Sequence, residues 1–303
     1  MIVTVTLNAA LDVTYDTPDV DWAGVNRVRH VHRRAGGKGV NVARVLAALG
    51  QDVVATGLAG GLTGRAIRDD LDAAGLAHGF TDVAAESRTT LAVSDGDRTA
   101  LFNEPGPPVT ADELRNFAKS YEKAVEGAAA VVISGSLPLG VPSDYYAVLA
   151  GIAARLGVPA LVDADGEPLR HAPGGRPAIV KPNHEELARA VPGGTPAEGA
   201  QALRAEGAGA VVVSMGADGL LAVTPEGDFQ ARMPYAVRGN PTGAGDALVA
   251  GLALGLVEAD GWPERLRRAA ALGAAAVAAP VAGDFDRAVF ADVHPKISVS
   301  THP

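Results

Sequence analysis

One loop in the sequence combines the residue types needed to hold an anion and to accept a proton. It reads Asn240-Pro-Thr-Gly-Ala-Gly-Asp246 and runs directly into the apolar stretch 247–253. Unsatisfied N–H groups at a helix N-terminus attract anions, and glycines at 243 and 245 would let a phosphate approach the backbone closely. A carboxylate beside such an anion hole can take the proton of a hydroxyl that attacks phosphorus. The alternative interpretation is a glycine turn in which Asp246 only caps the helix.

A second glycine cluster, Ala35-Gly-Gly-Lys-Gly-Val-Asn41, precedes a helix predicted over Val42–Leu49. It differs from a Walker A loop, because Lys38 is followed by glycine and His32 occupies the position of the upstream glycine. It also lacks the position after a first strand that a dinucleotide fingerprint has, which disfavours NAD. Such a cluster allows close backbone contact with a polar ligand, with Asn41 as donor and acceptor. The alternative is a tight turn with a solvated lysine.

Three further loops follow apolar runs that have strand character. In Val180-Lys-Pro-Asn-His-Glu-Glu186, the side chains of Asn183 and Glu186 lie on one helical turn, where their oxygens would hold Mg²⁺ directly or through water. The same two residues fit a helix capping box, and both interpretations can hold at once. Val213-Ser-Met-Gly-Ala-Asp-Gly219 and Ser134-Gly-Ser-Leu-Pro138 each close a strand, the first in the manner of a nucleotide-cradling loop.

Three basic residues, Arg27, Lys38 and Arg88, lie in or beside two stretches of alternating polar and apolar residues. A guanidinium fork fits a phosphate group bidentately, so a local cluster of these residues would bind a phosphorylated substrate. The alternative is that each is an ordinary solvated side chain. The seven histidines show no metal-ligand spacing, and no Gly-x-Ser-x-Gly nucleophile elbow occurs.

The composition of the 303-residue chain excludes several classes of protein. Its 26 basic and 35 acidic residues give a formal charge of −9, and only 4% of residues are aromatic, which disfavours nucleic-acid binding. The absence of cysteine excludes disulfides, thiolate metal sites and a cysteine nucleophile. The most apolar stretch, 247–257, is shorter than the ~20 residues needed to cross a bilayer, so we expect no membrane partner. These features fit a cytoplasmic protein.

Short apolar runs alternate with helix patterns along most of the chain, which predicts an α/β fold with a mostly parallel sheet covered by helices on both sides. The predicted strands are rich in valine, as expected for strands buried on both faces, and span 3–7, 53–58, 130–133, 159–162, 178–180 and 210–213. Residues 12–34 and 79–104 instead alternate polar and apolar positions, which predicts half-exposed antiparallel strands with hairpin turns, one at Asp95-Gly96-Asp97. We expect these two insertions to form a small sheet that projects as a lid from a single domain spanning residues 1–303.

Taken together, these segments resemble the ribokinase/PfkB family of sugar kinases, and within it the branch that phosphorylates sugar phosphates. The resemblance covers almost the whole chain, and the motifs that carry it follow one another in order: Thr6-Leu-Asn-Ala-Ala-Leu-Asp12, Val25-Asn-Arg-Val28, Gly36-Gly-Lys-Gly-Val-Asn41, Ser87-Arg-Thr89, Ser134-Gly-Ser-Leu-Pro138, Lys181-Pro-Asn183 with Glu186, and Gly243-Ala-Gly-Asp246. The resemblance implies a ribokinase-like three-layer fold, a kinase that uses ATP and Mg²⁺, and a β-sheet lid that forms the contact of a homodimer.

The resemblance also implies a role for each residue that matches a family motif. Asp246 corresponds to the catalytic base, and the anion hole is formed by Gly243, Ala244 and Gly245. Contacts to sugar hydroxyls are implied for Asp12, Gly36, Gly37, Asn41 and Ser136. The phosphate already on the sugar would be held by Arg27, Lys38 and Arg88. The ATP site would be lined by Lys181, Asn183, Ser214, Gly216 and Gly219, and Glu186 would organise Mg²⁺, directly or through water.

Within the family, the sequence is most similar to 1-phosphofructokinases and tagatose-6-phosphate kinases. The Asn240-Pro241 pair resembles tagatose-6-phosphate kinases, whereas Phe102-Asn-Glu-Pro-Gly106 resembles some 1-phosphofructokinases. We therefore expect an ATP-dependent kinase that converts fructose 1-phosphate to fructose 1,6-bisphosphate. Tagatose 6-phosphate and fructose 6-phosphate are the alternative sugar phosphates. A non-catalytic sugar-phosphate sensor and a kinase of unphosphorylated sugars or nucleosides are the alternative functions.

Overall fold

The computed structural model describes residues 1–95 and 99–302. In this part of the chain the β-strands are β1 (Ile2–Thr6), β2 (Ala10–Asp16), β3 (His30–Gly36), β4 (Val53–Ala59), β5 (His78–Asp82), β6 (Arg88–Ser94), β7 (Thr99–Asn103), β8 (Ala130–Ser134), β9 (Ala160–Asp163), β10 (Ile179–Val180), β11 (Ala210–Ser214), β12 (Leu220–Thr224), β13 (Gly227–Arg232) and β14 (Ser298–His302). The α-helices are α1 (Lys38–Ala48), α2 (Gly61–Ala73), α3 (Ala111–Val125), α4 (Tyr145–Arg155), α5 (Gly166–His171), α6 (His184–Ala190), α7 (Pro196–Ala205), α8 (Ala244–Val257), α9 (Trp262–Val277) and α10 (Arg287–Val293).

Ten strands form one large sheet in the order β14-β13-β12-β11-β10-β9-β8-β1-β4-β5. The strands from β11 to β5 run parallel to one another, and β12, β13 and β14 continue the sheet as an antiparallel edge. Central strands such as β8 are buried along their whole length, because helices cover both faces of the sheet. The predicted mostly parallel sheet is thereby confirmed.

Two apolar cores join the large sheet to a helical layer on each side. On one face α1, α2, α8, α9 and α10 pack around a core that includes Leu252. On the other face α3 to α7 pack around a core that includes Phe117. Successive residues of β1 point to opposite faces, so Ile2 belongs to the first core and Val3 to the second. The three-layer α/β fold is therefore confirmed, and none of the described helices is long and apolar enough to span a membrane.

Four further strands form a separate small sheet in the order β3-β2-β6-β7. The outer strands are antiparallel to their neighbours, as predicted, but β2 and β6 run parallel to each other. The prediction that the second insertion begins at residue 79 is wrong, because β5 lies at the edge of the large sheet and pairs with β4. Because helices cover an edge strand only in part, β5 shows the same alternation of polar and apolar residues as a strand of the small sheet. The predicted turn at Asp95-Gly96-Asp97 includes residues 96 and 97, which lie outside the described part.

The polar loops meet at one edge of the large sheet. Because β1, β8, β9, β10 and β11 are parallel, their carboxyl ends lie side by side, and ligands bind at this edge in open α/β sheets. The residues at or just after these ends are Asn8, Ser136, Asp163, Lys181 and Ser214. Three capping boxes fix the starts of α3, α6 and α7, and the one that Asn183 forms with Glu186 begins α6 at this same edge.

Candidate active site

The N-terminus of α8 presents unpaired backbone N–H groups to the site. Gly243 occupies the cap position with a φ of 86°, in the left-handed region that favours glycine. The N–H of Ala244 donates a hydrogen bond of 3.1 Å to the carbonyl oxygen of Pro241. Within the described residues, the N–H groups of Gly245 and Asp246 therefore remain free to hold an anion. Of the predicted anion hole at 243–245, Ala244 uses its N–H within the turn, and Asp246 adds a further free amide.

Asp246 lies in the first turn of α8 and is buried. Its Oδ2 accepts a hydrogen bond of 2.8 Å from Nδ2 of Asn41 on α1. The interpretation of Asp246 as a helix cap is wrong, because Gly243 occupies the cap position and no side chain caps α8. Burial, together with the negative charge of Asp163, raises the pKa of Asp246 to about 6. A carboxylate with this pKa is ionised at neutral pH and can accept a proton from an alcohol.

Two lysines and two acids form a cluster at the carboxyl ends of β9 and β10. Asp163 accepts a hydrogen bond of 2.9 Å from Nζ of Lys181, and its other oxygen lies 3.4 Å from Nζ of Lys38. The same Lys38 Nζ lies 3.9 Å from Oε1 of Glu186. Burial alone would raise the pKa of Asp163, but Lys181, Lys38 and the Ser134 hydroxyl outweigh it and hold that pKa well below its usual range. The charge of Asp163 in turn raises the pKa of Lys38, which therefore stays protonated.

Lys181 is the buried lysine of this cluster, and its ammonium group lies beside the free amides of α8. A Cβ placed on Gly245 would lie 3.6 Å from Nζ of Lys181. An anion bound between them would interact with an ammonium group and with the positive end of the helix dipole. Asp163 is absent from the residues predicted from the sequence. An acidic residue that directly follows the apolar run 159–162 is the signal that could have identified it.

A cavity of about 630 Å³ opens next to the N-terminus of α8. Ser214, Gly216 and Gly219, all predicted to line an ATP site, lie on its wall together with Ala244 and Gly245. The rest of the wall is mostly apolar. Ala217, Pro241 and Leu248 belong to the segments 213–219 and 240–253 described above. The other lining residues carry no recognisable sequence signal: Leu220, Met233, Tyr235, Ala236, Val237, Arg238, Gly239, Ala270, Gly273, Ala274 and Val277. A largely apolar cavity beside an anion hole suits the base and phosphates of a nucleotide.

Two of the residues predicted for the ATP site lie behind this wall. Lys181 is buried against Asp163, next to the anion hole. Asn183 pairs with Ser214 through a backbone bridge and uses its side chain to cap α6. Both residues therefore support the loops that line the cavity without lining it themselves.

Glu186 is the residue whose carboxylate would hold a Mg²⁺ ion, through water. Its Oε2 accepts a hydrogen bond of 2.7 Å from the backbone of Asn183, so one carboxylate oxygen serves the helix cap. Glu186 also lines a second cavity, of about 530 Å³, together with Lys38 and Ser136. Among residues 1–95 and 99–302, no group of three or more His, Cys, Asp or Glu side chains is arranged to hold a metal directly. Mg²⁺ that bridges nucleotide phosphates keeps several waters and needs only one or two carboxylates, which this arrangement supplies.

The small sheet brings a second set of predicted residues to the same edge. Nδ2 of Asn8 donates hydrogen bonds to Oγ of Ser136 at 3.0 Å and to the carbonyl oxygen of Pro105 at 3.2 Å. The carbonyl oxygen of Asn8 accepts one of 3.1 Å from Nε of Arg88. Asp12 on β2 lies in this region, and burial raises its pKa to about 6 although the charge of Arg88 opposes the shift. These contacts bring the Arg88 guanidinium, the Asp12 carboxylate and the Ser136 hydroxyl to the same edge of the large sheet.

The two glycines predicted to contact the sugar lie between Asp12 and α1. Gly36 passes so close to Asp12 that an added Cβ would overlap the carboxylate. Gly37 is the cap residue of α1, which starts at Lys38 and carries Asn41 on its buried face. The glycine cluster thus allows the small sheet and the helix to approach each other within reach of Asp246.

Two predicted phosphate ligands occupy other places than expected. Arg27 lies in the exposed segment 21–29 between β2 and β3, so a single chain does not bring it to the other residues. Lys38 faces Asp163 and Glu186 rather than the small sheet, because those carboxylates attract its ammonium group. Arg88 is therefore the predicted phosphate ligand that remains beside Asp12.

Comparison with known proteins agrees with this geometry. A family model described as pfkB family carbohydrate kinase matches residues 5–286. The structure of phosphofructokinase-2 from Escherichia coli in complex with fructose-6-phosphate is 30% identical, covers 97% of this chain and 98% of its own, and has a TM-score of 0.88. Other structures of that protein are described as a complex with potassium and as a tetrameric inhibited form.

Two more distant structures extend the comparison. A Thermotoga maritima protein described as a possible 1-phosphofructokinase is 27% identical over 100% of both chains, with a TM-score of 0.89. A ribokinase from Arabidopsis thaliana, complexed with ribose and ATP, is 20% identical over 97% of this chain and 98% of its own, with a TM-score of 0.75, and shows the shared fold alone. The chain therefore belongs to the pfkB family of carbohydrate kinases and is an ATP-dependent sugar kinase of the phosphofructokinase type.

Proposed function

We propose that this kinase transfers the γ-phosphoryl group of ATP to a hydroxyl of a ketohexose phosphate, with fructose 1-phosphate as the first candidate and fructose 1,6-bisphosphate as the product. The observation that carries this proposal is the buried carboxylate of Asp246, held at 2.8 Å by Asn41 beside the free amides of α8. A base next to an anion hole can deprotonate an alcohol while the alcohol attacks a phosphoryl group.

In the proposed reaction, the sugar hydroxyl gives its proton to Asp246 as its oxygen bonds to the γ-phosphorus of ATP. The bond between that phosphorus and the β–γ bridging oxygen breaks, and ADP leaves. The N–H groups of Gly245 and Asp246 and the ammonium group of Lys181 stabilise the charge on the moving group. Bound Mg²⁺, held through water by Glu186, would neutralise charge on the ATP phosphates.

Arg88 supports a substrate that already carries a phosphate. Its guanidinium is tied by Nε to the carbonyl of Asn8 at 3.1 Å and by Nη1 to the carbonyl of Glu104 at 3.2 Å. These partners are neutral carbonyls that orient the guanidinium, and the carboxylates of Asp12 and Glu104 act on it electrostatically. Its positive charge can attract an incoming phosphate. An unphosphorylated sugar would not use this charge.

Fructose 6-phosphate is the second candidate substrate. The Escherichia coli phosphofructokinase-2 bound to fructose-6-phosphate is 30% identical to this chain, and the Thermotoga maritima protein described as a possible 1-phosphofructokinase is 27% identical. Because these similarities are nearly equal, they favour neither position of the phosphate on fructose. The Phe102–Gly106 segment places fructose 1-phosphate first, since it resembles 1-phosphofructokinases.

A substrate panel tests the proposed function. We expect ADP release with MgATP and fructose 1-phosphate, and slower or no release with fructose 6-phosphate, tagatose 6-phosphate, fructose and ribose. The position of the new phosphate is read by ³¹P NMR. Faster turnover of an unphosphorylated sugar than of every sugar phosphate would contradict the proposal. Tight binding of sugar phosphates without ADP release would indicate a sensor instead.

Replacing Arg88 by alanine tests the phosphate contact separately. Loss of a hydrogen bond to a charged group costs roughly 1.5–3 kcal/mol, so we expect the KM for the sugar phosphate to rise by about 10- to 100-fold. The KM for ATP should change little, because the nucleotide cavity is lined by other residues. Arg155→Ala is the matched control, since Arg155 is exposed and pairs only loosely with Glu122, at 4.0 Å. Equal increases of both KM values in Arg88→Ala would contradict a role in reading the substrate phosphate.

The small sheet would also serve as a lid over the sugar and as the contact of a homodimer. Its strands β3 and β7 expose Val31, Leu101 and Phe102, and the loop between β2 and β3 exposes 79% of Trp22 and 88% of Val25. Apolar side chains exposed together favour association with a second surface, and a second copy of the same sheet offers matching ones. Sedimentation velocity at micromolar concentration would show a dimer for the native chain and a monomer for Trp22→Asp.

A further inference from the structure

Consecutive residues of the loop before α10 contact the turn that opens the anion hole and Asn41, the hydrogen-bond partner of the catalytic base. A Cβ placed on Gly243 would lie 2.9 Å from the Cα of Ala282, so the loop lies directly against the turn that opens α8. A Cβ placed on Gly283 would lie 3.1 Å from Oδ1 of Asn41. Asn41 is the residue that holds Asp246. The position of this loop therefore limits where the turn at Gly243 and the side chain of Asn41 can lie.

The next residue of the same loop is bound to the small sheet. The carboxylate of Asp284 receives both arms of the Arg34 guanidinium, Nη2 at 2.8 Å and Nη1 at 3.3 Å. Nη1 of Arg34 also donates to the carbonyl oxygen of Ala282 at 3.1 Å. Arg34 lies on β3 directly opposite Asp12 of β2 in the strand register. One side chain thus joins the strand pair that faces the sugar to the loop that packs on the anion hole.

We propose that Arg34 is a positioning residue that couples the binding of the sugar phosphate on the small sheet to the binding of the nucleotide phosphates at Gly243. This inference rests on the placement of the two substrates proposed above. A sugar held by Asp12 fixes β2 and β3, and thereby fixes Arg34. Arg34 then holds residues 282–284 against the turn at Gly243, which presets the free amides of α8 for a phosphate. By thermodynamic linkage, bound nucleotide strengthens sugar binding by the same factor.

The exposure and geometry of the Arg34–Asp284 pair indicate that it orients residues 282–284 rather than stabilises the fold. The side chains retain 25% and 47% of their exposure, and ion pairs that are this accessible contribute little to stability. The two-armed geometry, however, fixes direction, because a planar guanidinium meets a carboxylate along one line of approach. Lysine cannot reproduce this fork. We therefore expect variants of Arg34 to fold normally and to lose the coupling.

The experiment measures the affinity for a non-hydrolysable ATP analogue by calorimetry, with and without saturating fructose 1-phosphate. For the native chain we expect the sugar phosphate to tighten analogue binding by about fivefold or more, the lower end of typical coupling between sites. In Arg34→Ala, and separately in Asp284→Asn, the factor should fall below about twofold. The double variant should lose no more than either single variant, since both remove the same contact. Arg34→Lys should retain less than half of the native factor.

Arg33→Ala is the matched control, because Arg33 is the exposed neighbour of Arg34 on β3. It should keep the native coupling. An absence of coupling in the native chain, an unchanged factor in Arg34→Ala and Asp284→Asn, or an equal loss in Arg33→Ala would each overturn the inference. The substrate panel distinguishes a failure of this inference from a failure of the proposed function. Native turnover of a sugar phosphate without coupling contradicts the inference alone, whereas an absence of turnover contradicts the proposed function.

Discussion

Replacing Asp246 by asparagine is expected to lower kcat by about 10²- to 10⁴-fold, the range that general base catalysis contributes. The amide oxygen of asparagine can still accept the hydrogen bond of 2.8 Å from Asn41, so the site keeps its shape. The amide cannot, however, take the proton of the attacking hydroxyl. The KM for ATP and the affinity for its non-hydrolysable analogue should stay close to the native values. Steady-state kinetics and calorimetry together measure both effects.

The matched control for this change is Asp69→Asn, which replaces an exposed acid on α2. It should leave both kcat and nucleotide affinity unchanged. Native-like turnover by Asp246→Asn would falsify the assignment of Asp246 as the base. A parallel loss of nucleotide binding and turnover would instead assign Asp246 to the binding of ATP.

The same substitution should make the protein more stable at neutral pH. Burial, and then the charge of Asp163, raises the pKa of Asp246 from its ordinary value of 3.8 to about 6, which means that the fold disfavours the charged form. The free-energy cost of burying the charged carboxylate is absent below the pKa that Asp246 has in the unfolded chain, because both states are then protonated. The cost is fully present above the pKa that Asp246 has in the folded chain. By linkage it amounts to roughly 2–3 kcal/mol above pH 6. Urea unfolding should therefore show Asp246→Asn to be more stable at pH 8, with the difference falling as the pH drops below about 6 and vanishing below pH 3.8.

The large sheet and the helix starts could be predicted because their signals are local. A run such as Ala130–Ile133 is apolar at every position, as expected of a strand covered on both faces. The capping boxes were equally predictable, because Thr110 and Glu113 exchange hydrogen bonds within one turn. The boundary at residue 79 could not be predicted, since a half-covered edge strand and a strand of a small sheet alternate in the same way.

The assembly of the candidate site depends on contacts between distant segments. Gly243 and Asp246 stand in one motif, so their proximity could be predicted from sequence. The orientation of the Lys38 side chain could not be predicted, because it depends on a contact with Asp163, which is distant in sequence. The two residues come together only when β1, β8 and β9 pair. The same reason explains why Arg34 and Asp284 carry no joint sequence signal: their contact spans 250 positions.

Asp163 provides the second large expected effect, on stability. Its carboxylate is the partner of Lys181, whose side chain is only 4% exposed and whose Nζ lies 2.9 Å away. Asp163→Asn removes the negative charge with almost no change of shape and deprives the buried ammonium group of Lys181 of the carboxylate to which it donates. Removal of one partner from a buried pair costs about 3–5 kcal/mol, so we expect the free energy of unfolding in urea to fall by this amount at pH 7. Glu122→Gln, which breaks the exposed pair with Arg155, should cost less than about 1 kcal/mol.

The double variant Asp163→Leu with Lys181→Met separates the ion pair from the packing around it. If the loss in Asp163→Asn comes from a buried cation without a partner, removal of both charges should recover most of the stability, because an apolar pair of similar volume carries no desolvation penalty. A double variant as unstable as Asp163→Asn would show that the loss does not come from the unpaired charge of Lys181. The double variant should nevertheless be a poor kinase, since it lacks the ammonium group that lies beside Gly245. Recovered stability without recovered turnover would thus indicate that the pair is kept in the core for phosphoryl transfer rather than for folding.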